Sequence, residues 1–162
     1  MENKLDFLAF GAHPDDVELG CSGALLKIID SGKKVGIIDL TLGELGTRGN
    51  SEIRSKETKQ ASKLLGINIR ENLKFKDGFF TNDIEHQIKV ISIIRKYKPE
   101  FIFCNAPDDR HIDHPKASKL IVESCFLSGL SKIKTVDDLG NHQTHWRPKN
   151  KFWFIFSNYR YY

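Results

Sequence analysis

No apolar stretch of this sequence approaches the ~20 residues needed to cross a bilayer. The first, LDFLAFGA at residues 5–12, follows Met-Glu-Asn-Lys rather than a basic leader with a small-residue cleavage site. A membrane span and a secretory signal are therefore not expected, and the expected location is the cytoplasm. Cysteine is scarce: Cys21, Cys104 and Cys125 are an odd number, lie far apart and form no CxxC or CxxH pair. That argues against a disulfide framework or a thiolate-bound metal, and for reduced core residues. Neither sign of charge dominates. The 25 Lys and Arg stand against 21 Asp and Glu, a net +4, interleaved instead of forming a basic stripe, so nucleic acid is not an expected partner. The dinucleotide fingerprint GxGxxG is missing too; Gly43, Gly46 and Gly49 have GxxGxxG spacing and follow the second apolar run, not the first. Internal repeats, low-complexity tracts and linker-like segments are likewise absent from the sequence.

What is there fits one soluble domain over residues 1–162 with a substantial core: 40% of residues are hydrophobic and 28% charged. Continuous apolar runs predict buried strands near residues 5–12, 34–41, 72–75, 99–106 and 151–156. Between them the period lengthens to that of helices. Ile84, Ile88, Ile91 and Ile94 recur at three- and four-residue steps in a helix over 83–97 that Pro99 stops. A helix over about 52–65 ends at Gly66 as a left-handed cap, and one begins at Pro115 and runs through Leu120, Ile121 and Phe126. The first helix covers about 17–31, and its small-residue opening GCSGALL suits close approach to a sheet. The order β-α-β-α-β-α-β-α-β predicts an α/β fold class, a three-layer Rossmann-like fold with a mostly parallel sheet. Ligands of such sheets bind beyond the carboxyl ends of the strands.

Two polar clusters fall at such positions. HPDD, residues 13–16, directly follows the first strand, and DDRHIDH, residues 108–114, follows the fourth. For HPDD alone, helix capping by aspartate is a sufficient explanation. The second cluster holds three aspartates, two histidines and an arginine where one cap would suffice, and such crowding calls for a counter-ion. Imidazole and carboxylate ligands suit zinc, with three protein ligands and one position left for water; they also accommodate iron, manganese or cobalt. His13, Asp16 and His114 form a candidate ligand set, with Asp15 the candidate general base. His111, partnered by Asp113, would gain a higher pKa and present positive charge to a developing oxyanion. The bland reading of that pair is a surface histidine beside a carboxylate.

AHPDDVELG, GELGTRG, EIR, DGFF and DRHIDH, in this order over nearly all of the chain, resemble the zinc-dependent deacetylases of the LmbE/PIG-L superfamily. The similarity is strongest to the N-acetylglucosaminyl-malate deacetylases of bacillithiol biosynthesis. The resemblance implies zinc at His13, Asp16 and His114, a general base and acid at Asp15, and an electrostatic or charge-relay pair at His111 and Asp113. It also implies sugar binding by Arg54 and a sugar-hydroxyl contact at Asp77. The implied reaction releases acetate from an N-acetylglucosamine conjugate, with a small-molecule amino sugar as partner and a homo-oligomer compatible with the chain. Mycothiol-type relatives carry a tyrosine where this chain has Asp109, which leaves no tyrosine there to polarise a carbonyl.

Relatives in this superfamily usually continue past the point matching Tyr162, so the chain reads as a shortened form, with exposed apolar surface expected near its last strand. A non-catalytic metal- or sugar-binding module is accordingly the rival reading, and acetate release separates the two. Arg48 and Arg54 are candidates for a bidentate grip on a malate carboxylate. His142 and His145 read as loop histidines beside a packing Trp146, His86 as a solvated helix residue, and the aromatic ending as a strand with a packing tail.

Overall fold

The computed structural model describes residues 4–46 and 51–154. Nine elements follow in order: β1 (Phe7–Gly11), α1 (Asp16–Asp30), β2 (Val35–Thr41), α2 (Ser51–Leu65), β3 (Ile69–Phe75), α3 (Ile84–Tyr97), β4 (Phe101–Asn105), α4 (Asp113–Leu127) and β5 (Asn150–Phe154). The strands form one wholly parallel sheet in the order β3-β2-β1-β4-β5.

Both faces of this sheet are covered, which is why its central strands read as continuous apolar runs rather than alternating ones. Successive residues point to opposite faces. Phe10 and Ile38 pack with Val90, Ile94, Leu120 and Ile121 of α3 and α4, while Ala9 and Ile37 pack with Val17 and Leu25 of α1. Each fully buried Val, Leu, Ile or Phe side chain among these contributes about 1.5–3 kcal/mol relative to exposure.

Three boundaries differ from the sequence reading, each for a physical reason. β3 starts at Ile69, not at residue 72. It is an edge strand, half-buried along most of its length, so polar Arg70, Glu71 and Asn72 are tolerated and mask the strand signal. α4 starts at Asp113, two residues before Pro115, since a proline anywhere among the first four helical positions removes an N–H that has no partner. α1 opens at Asp16 and kinks at Cys21 (φ −150°). There a Cβ on Gly20 would overlap the Phe154 ring, so the small residues do permit close approach, to β5.

α3 is capped by Asp83, whose carboxylate accepts from His86 N at 3.0 Å, and ends on left-handed Lys98 (φ 45°) just before Pro99. Gly66 has the expected positive φ, at 72°. Ile84, counted on the apolar face by its spacing, is exposed in the first turn. His86 is only partly solvated: it lies edge-on to Phe75 with ring centroids 4.5 Å apart and bonds Asp83 at 2.8 Å. Cys104 and Cys125 are buried, Cys21 is half-buried, and all three are free thiols. The irregular segment after α4 is held by buried Arg95, which donates to the carbonyls of Ser128, Leu130 and Ile133 and to Thr135 Oγ1. β5, the other edge strand, leaves Phe152 and Trp153 exposed. No helix among the described residues is long and apolar enough to cross a membrane.

Candidate active site

β1 is flanked by β2 on one side and β4 on the other, so the chain departs in different directions from the carboxyl ends of β1 and β4 and leaves a crevice between them. The end of β1 is pinned from both neighbours. Ala12 N donates to Asn105 Oδ1 (3.0 Å), and Ala12 O accepts from Thr41 Oγ1 (2.9 Å) and Thr41 N (3.1 Å). The next residues turn sharply into α1, and Asp15 takes φ 146°, a conformation that non-glycine residues rarely adopt. Such strain persists only where the surroundings enforce it, and it collects at functional sites. Capping does not explain HPDD: Asp15 stands at the N-cap position of α1 with no side-chain cap hydrogen bond. The buried Asp16 carboxylate accepts instead from His13 N and from Asn105 Nδ2, both at 3.0 Å.

The two clusters meet here. One oxygen of Asp16 lies 3.6 Å from His13 Nδ1, and the other lies 3.3 Å from His114 Nε2. The His13 ring is 5.6 Å from that of His114 and 4.7 Å from that of His111. Donor atoms of His13, His111 and His114 gather within 4.8 Å of one another, and so do those of His13, Asp77 and Asp113. Among the described residues, His142 and His145 belong to no such group. Two imidazoles flanking a buried carboxylate are a donor set suited to a divalent transition metal.

Electrostatics give the same picture. Burial disfavours charge on His13, but Asp16, Asp77 and Asp113 outweigh it and raise its pKa to about 9. His114 is raised likewise against its burial, by Asp16 and Asp109. Asp16, although buried, is held well below the ordinary carboxylate range by His114 and His13. Thus the surrounding carboxylates favour the charged forms of both histidines, which in turn keep Asp16 ionised. Asp15 moves the other way: partial burial and the adjacent Asp16 charge raise its pKa, with Arg54 and His13 opposing.

His13, Asp15, Asp16, Asp77, Asp113 and His114 all line one cavity of about 600 Å³, and so do His111 and Arg54. The Arg54 guanidinium lies against the loop after β2, where a Cβ on Gly43 or Gly46 would collide with it. Arg48 lies outside the described residues. Two expectations change. Asp113 does not pair with His111 through its carboxylate; it is the first residue of α4 and turns inward, reaching His13 Nε2 (3.3 Å), Gly78 N (2.8 Å) and Lys116 Nζ (3.1 Å). The His111 pKa is consequently lowered, not raised, by burial and by the charges of His13 and His114. Its Nδ1 accepts from the Asp113 backbone N–H at 3.3 Å. Asp77 likewise faces His13 Nε2, at 3.1 Å. The sequence reading missed Asn105, whose only local sign was an amide ending the apolar run FIFCN, and Lys116, which reads as an ordinary surface lysine.

Comparison with known proteins places these features in a family. Residues 8–125 match the family described as PIG-L: GlcNAc-PI de-N-acetylase. The chain is 28% identical over 149 residues to diacetylchitobiose deacetylase from Thermococcus kodakarensis, covering 85% of this chain and 55% of that protein. It is 31% identical over 124 residues to the uncharacterized deacetylase YaiS of Escherichia coli, covering 73% and 66% respectively. Among solved structures, the conserved protein TT1542 from Thermus thermophilus superposes with a TM-score of 0.86 at 37% identity, over 94% of this chain and 67% of that one. The chain thus spans between about half and two thirds of the length of the curated relatives it matches. The family match covers both polar clusters and the strands that carry them, and the chain belongs to the PIG-L family of de-N-acetylases.

Proposed function

We propose that this chain is a metal-dependent N-deacetylase that hydrolyses the acetamide of an N-acetylglucosamine conjugate and releases acetate. The observation that supports it most is the convergence of His13, Asp16 and His114 beside Asp15, at the floor of a cavity whose volume suits a small molecule. In this reading those three residues hold the cation, zinc by preference. The cation supplies Lewis acidity, polarising the acetamide carbonyl and acidifying water.

The chain's own groups do the rest. Asp15, its pKa raised by partial burial and by the charge of Asp16, takes a proton from the attacking water and returns it to the leaving amine. His111 is neutral because its pKa is lowered. With Nδ1 accepting from the Asp113 amide, its Nε2 carries the hydrogen and donates it to the oxygen that becomes negative. This replaces the positively charged role the sequence suggested. Arg54 on the cavity wall binds the sugar or its aglycone.

The finer substrate reading is N-acetylglucosaminyl malate, from the sequence resemblance, as a step of bacillithiol biosynthesis. Diacetylchitobiose is the second candidate, favoured by the name of the Thermococcus relative. The test is acetate release from both conjugates with and without a chelator and added zinc. Turnover that depends on zinc, with preference for one conjugate, supports the proposal; zinc binding without turnover on any N-acetylglucosamine conjugate favours the non-catalytic binding module instead.

A further inference from the structure

The turn after β2 carries the GELG of the GELGTRG motif, to which the proposed reaction gives no task. Residues 43–46 close a β-turn in which Gly46 N donates to Gly43 O (3.1 Å). Three further bonds fix that turn to its surroundings. Gly43 N donates to Thr41 Oγ1 (3.1 Å), Leu45 N to Asp77 Oδ2 (3.0 Å), and Asp77 N to Glu44 Oε1 (2.9 Å). The last two are reciprocal, so the turn and the DGFF segment hold each other. Arg54 of α2 lays its guanidinium against this braced turn. A Cβ on Gly43 would stand 2.5 Å from Arg54 Nη1, and one on Gly46 would overlap Nη2 and lie 2.9 Å from Cζ, separations that real Cβ atoms essentially never show. In that place Arg54 borders both the main cavity and a second one of about 370 Å³ between α2 and the strands β2 and β3.

We infer that Gly46, with Gly43, is a positioning residue: the side-chain-free turn forms the recess that holds the Arg54 guanidinium at the wall of the candidate active site. The two glycines contribute differently. Gly43 has φ 64°, a conformation that favours glycine whatever lies nearby, and its Cβ would also meet Pro14 Cδ at 3.4 Å. The shape of the turn therefore accounts for Gly43 on its own. Gly46 lies outside the left-handed region, and the nearest group its Cβ would meet is the guanidinium; the next, Gly43 O at 3.2 Å, is tight without overlapping. An alanine at position 46 thus displaces the far end of a long, flexible side chain and leaves the turn in place. A guanidinium already held where it is needed loses less freedom when a ligand arrives, and that preorganisation is affinity. The inference rests on the reading above in which Arg54 binds the sugar or its aglycone.

A double-mutant cycle tests it, read by calorimetric binding of N-acetylglucosaminyl malate and of diacetylchitobiose to zinc-loaded protein carrying Asp15→Asn, in which slowed cleavage leaves the conjugate intact. Arg54→Ala and Gly46→Ala should each weaken binding of the preferred conjugate about tenfold, and the two together should be no worse than Arg54→Ala alone. A merely structural glycine would behave otherwise, since its loss would add to that of the arginine. Unimpaired binding in Gly46→Ala, or losses that multiply to about a hundredfold in the double variant, overturns the inference and leaves Arg54 its role. Unimpaired binding in Arg54→Ala defeats that role and the inference with it. A second measurement needs neither a folded Gly46→Ala variant nor a bound conjugate. In ¹⁵N-arginine-labelled wild-type protein, with Arg54 assigned from the spectrum of Arg54→Lys, the Arg54 Nη signals should be resolved by hindered rotation of the guanidinium; a freely averaged signal overturns the inference.

Discussion

Two acidic clusters lie buried near the carboxyl edge of the sheet, and different cations neutralise them. In the first, Arg70 of β3 donates from Nε and Nη2 to the two oxygens of Asp39 on β2, each at 2.9 Å, and from Nη1 to Glu18 of α1. A guanidinium keeps its charge at any working pH, so the cation of this trio is never surrendered, and it ties three elements together. In the second, Asp16, Asp77, Asp109 and Asp113 surround His13 and His114, with Lys116 on the far side of Asp113. Imidazoles can surrender their protons, and a divalent ion can take the place of those charges. Burial of carboxylates is common to both clusters; only the second, whose cations can be exchanged, is suited to take up an ion.

The largest expected effect separates chemistry from structure. Asp15→Asn should lower acetate release about 10²–10⁴-fold while leaving zinc content and the denaturation midpoint unchanged, because Asp15 makes no cap bond to α1. A variant that lost stability instead would make Asp15 a strut. Arg70→Met should do the reverse. It leaves Asp39 and Glu18 without their counter-charge and should destabilise the chain by about 3–5 kcal/mol in urea titrations, with zinc affinity retained. Undiminished stability would break the distinction between the clusters. Arg54 lines both the main cavity and a smaller one of about 370 Å³ that Asp39 and Arg70 also border. Arg54→Ala should raise KM about tenfold, or about 1.4 kcal/mol, without changing zinc content; an unchanged KM would remove Arg54 from the binding site.

The smallest effect is one of pH. The His13 pKa is raised from its ordinary 6.5 to about 9 in the metal-free fold. The stabilisation this represents is fully present below pH 6.5 and is lost as pH rises through about 9. Thermal melts of metal-free protein should decline across that window. Zinc-loaded protein should lack this decline, since the ion replaces the proton on His13, and parallel curves for the two forms would count against a shared site.

The sequence spoke most clearly where one short segment carries the whole signal. β2, apolar except for Asp39 and Thr41, is buried at every position, and Ile91 and Ile94 of α3 recur at helical steps and are buried. HPDD and DRHIDH were legible as clusters because their residues are adjacent. Their partners were not. Asp113 stands two residues from His111 yet reaches His13, one hundred positions away, because α4 begins at Asp113 and directs it inward. Asn105 meets Asp16 across 89 positions, and Arg70 meets Glu18 across 52. Strand order alone creates those meetings, and no local pattern encodes them. β3 was half-missed for a related reason: an edge strand need not be apolar.

The central claim is that His13, Asp16 and His114 hold one catalytic cation. Its most direct test is acetate release from N-acetylglucosaminyl malate and diacetylchitobiose by protein stripped of metal and then titrated with zinc. The account predicts no release from the stripped protein, and activity that rises to a plateau at one zinc per chain. Full activity after stripping, or equal recovery in a His13→Ala, His114→Ala double variant, would contradict it.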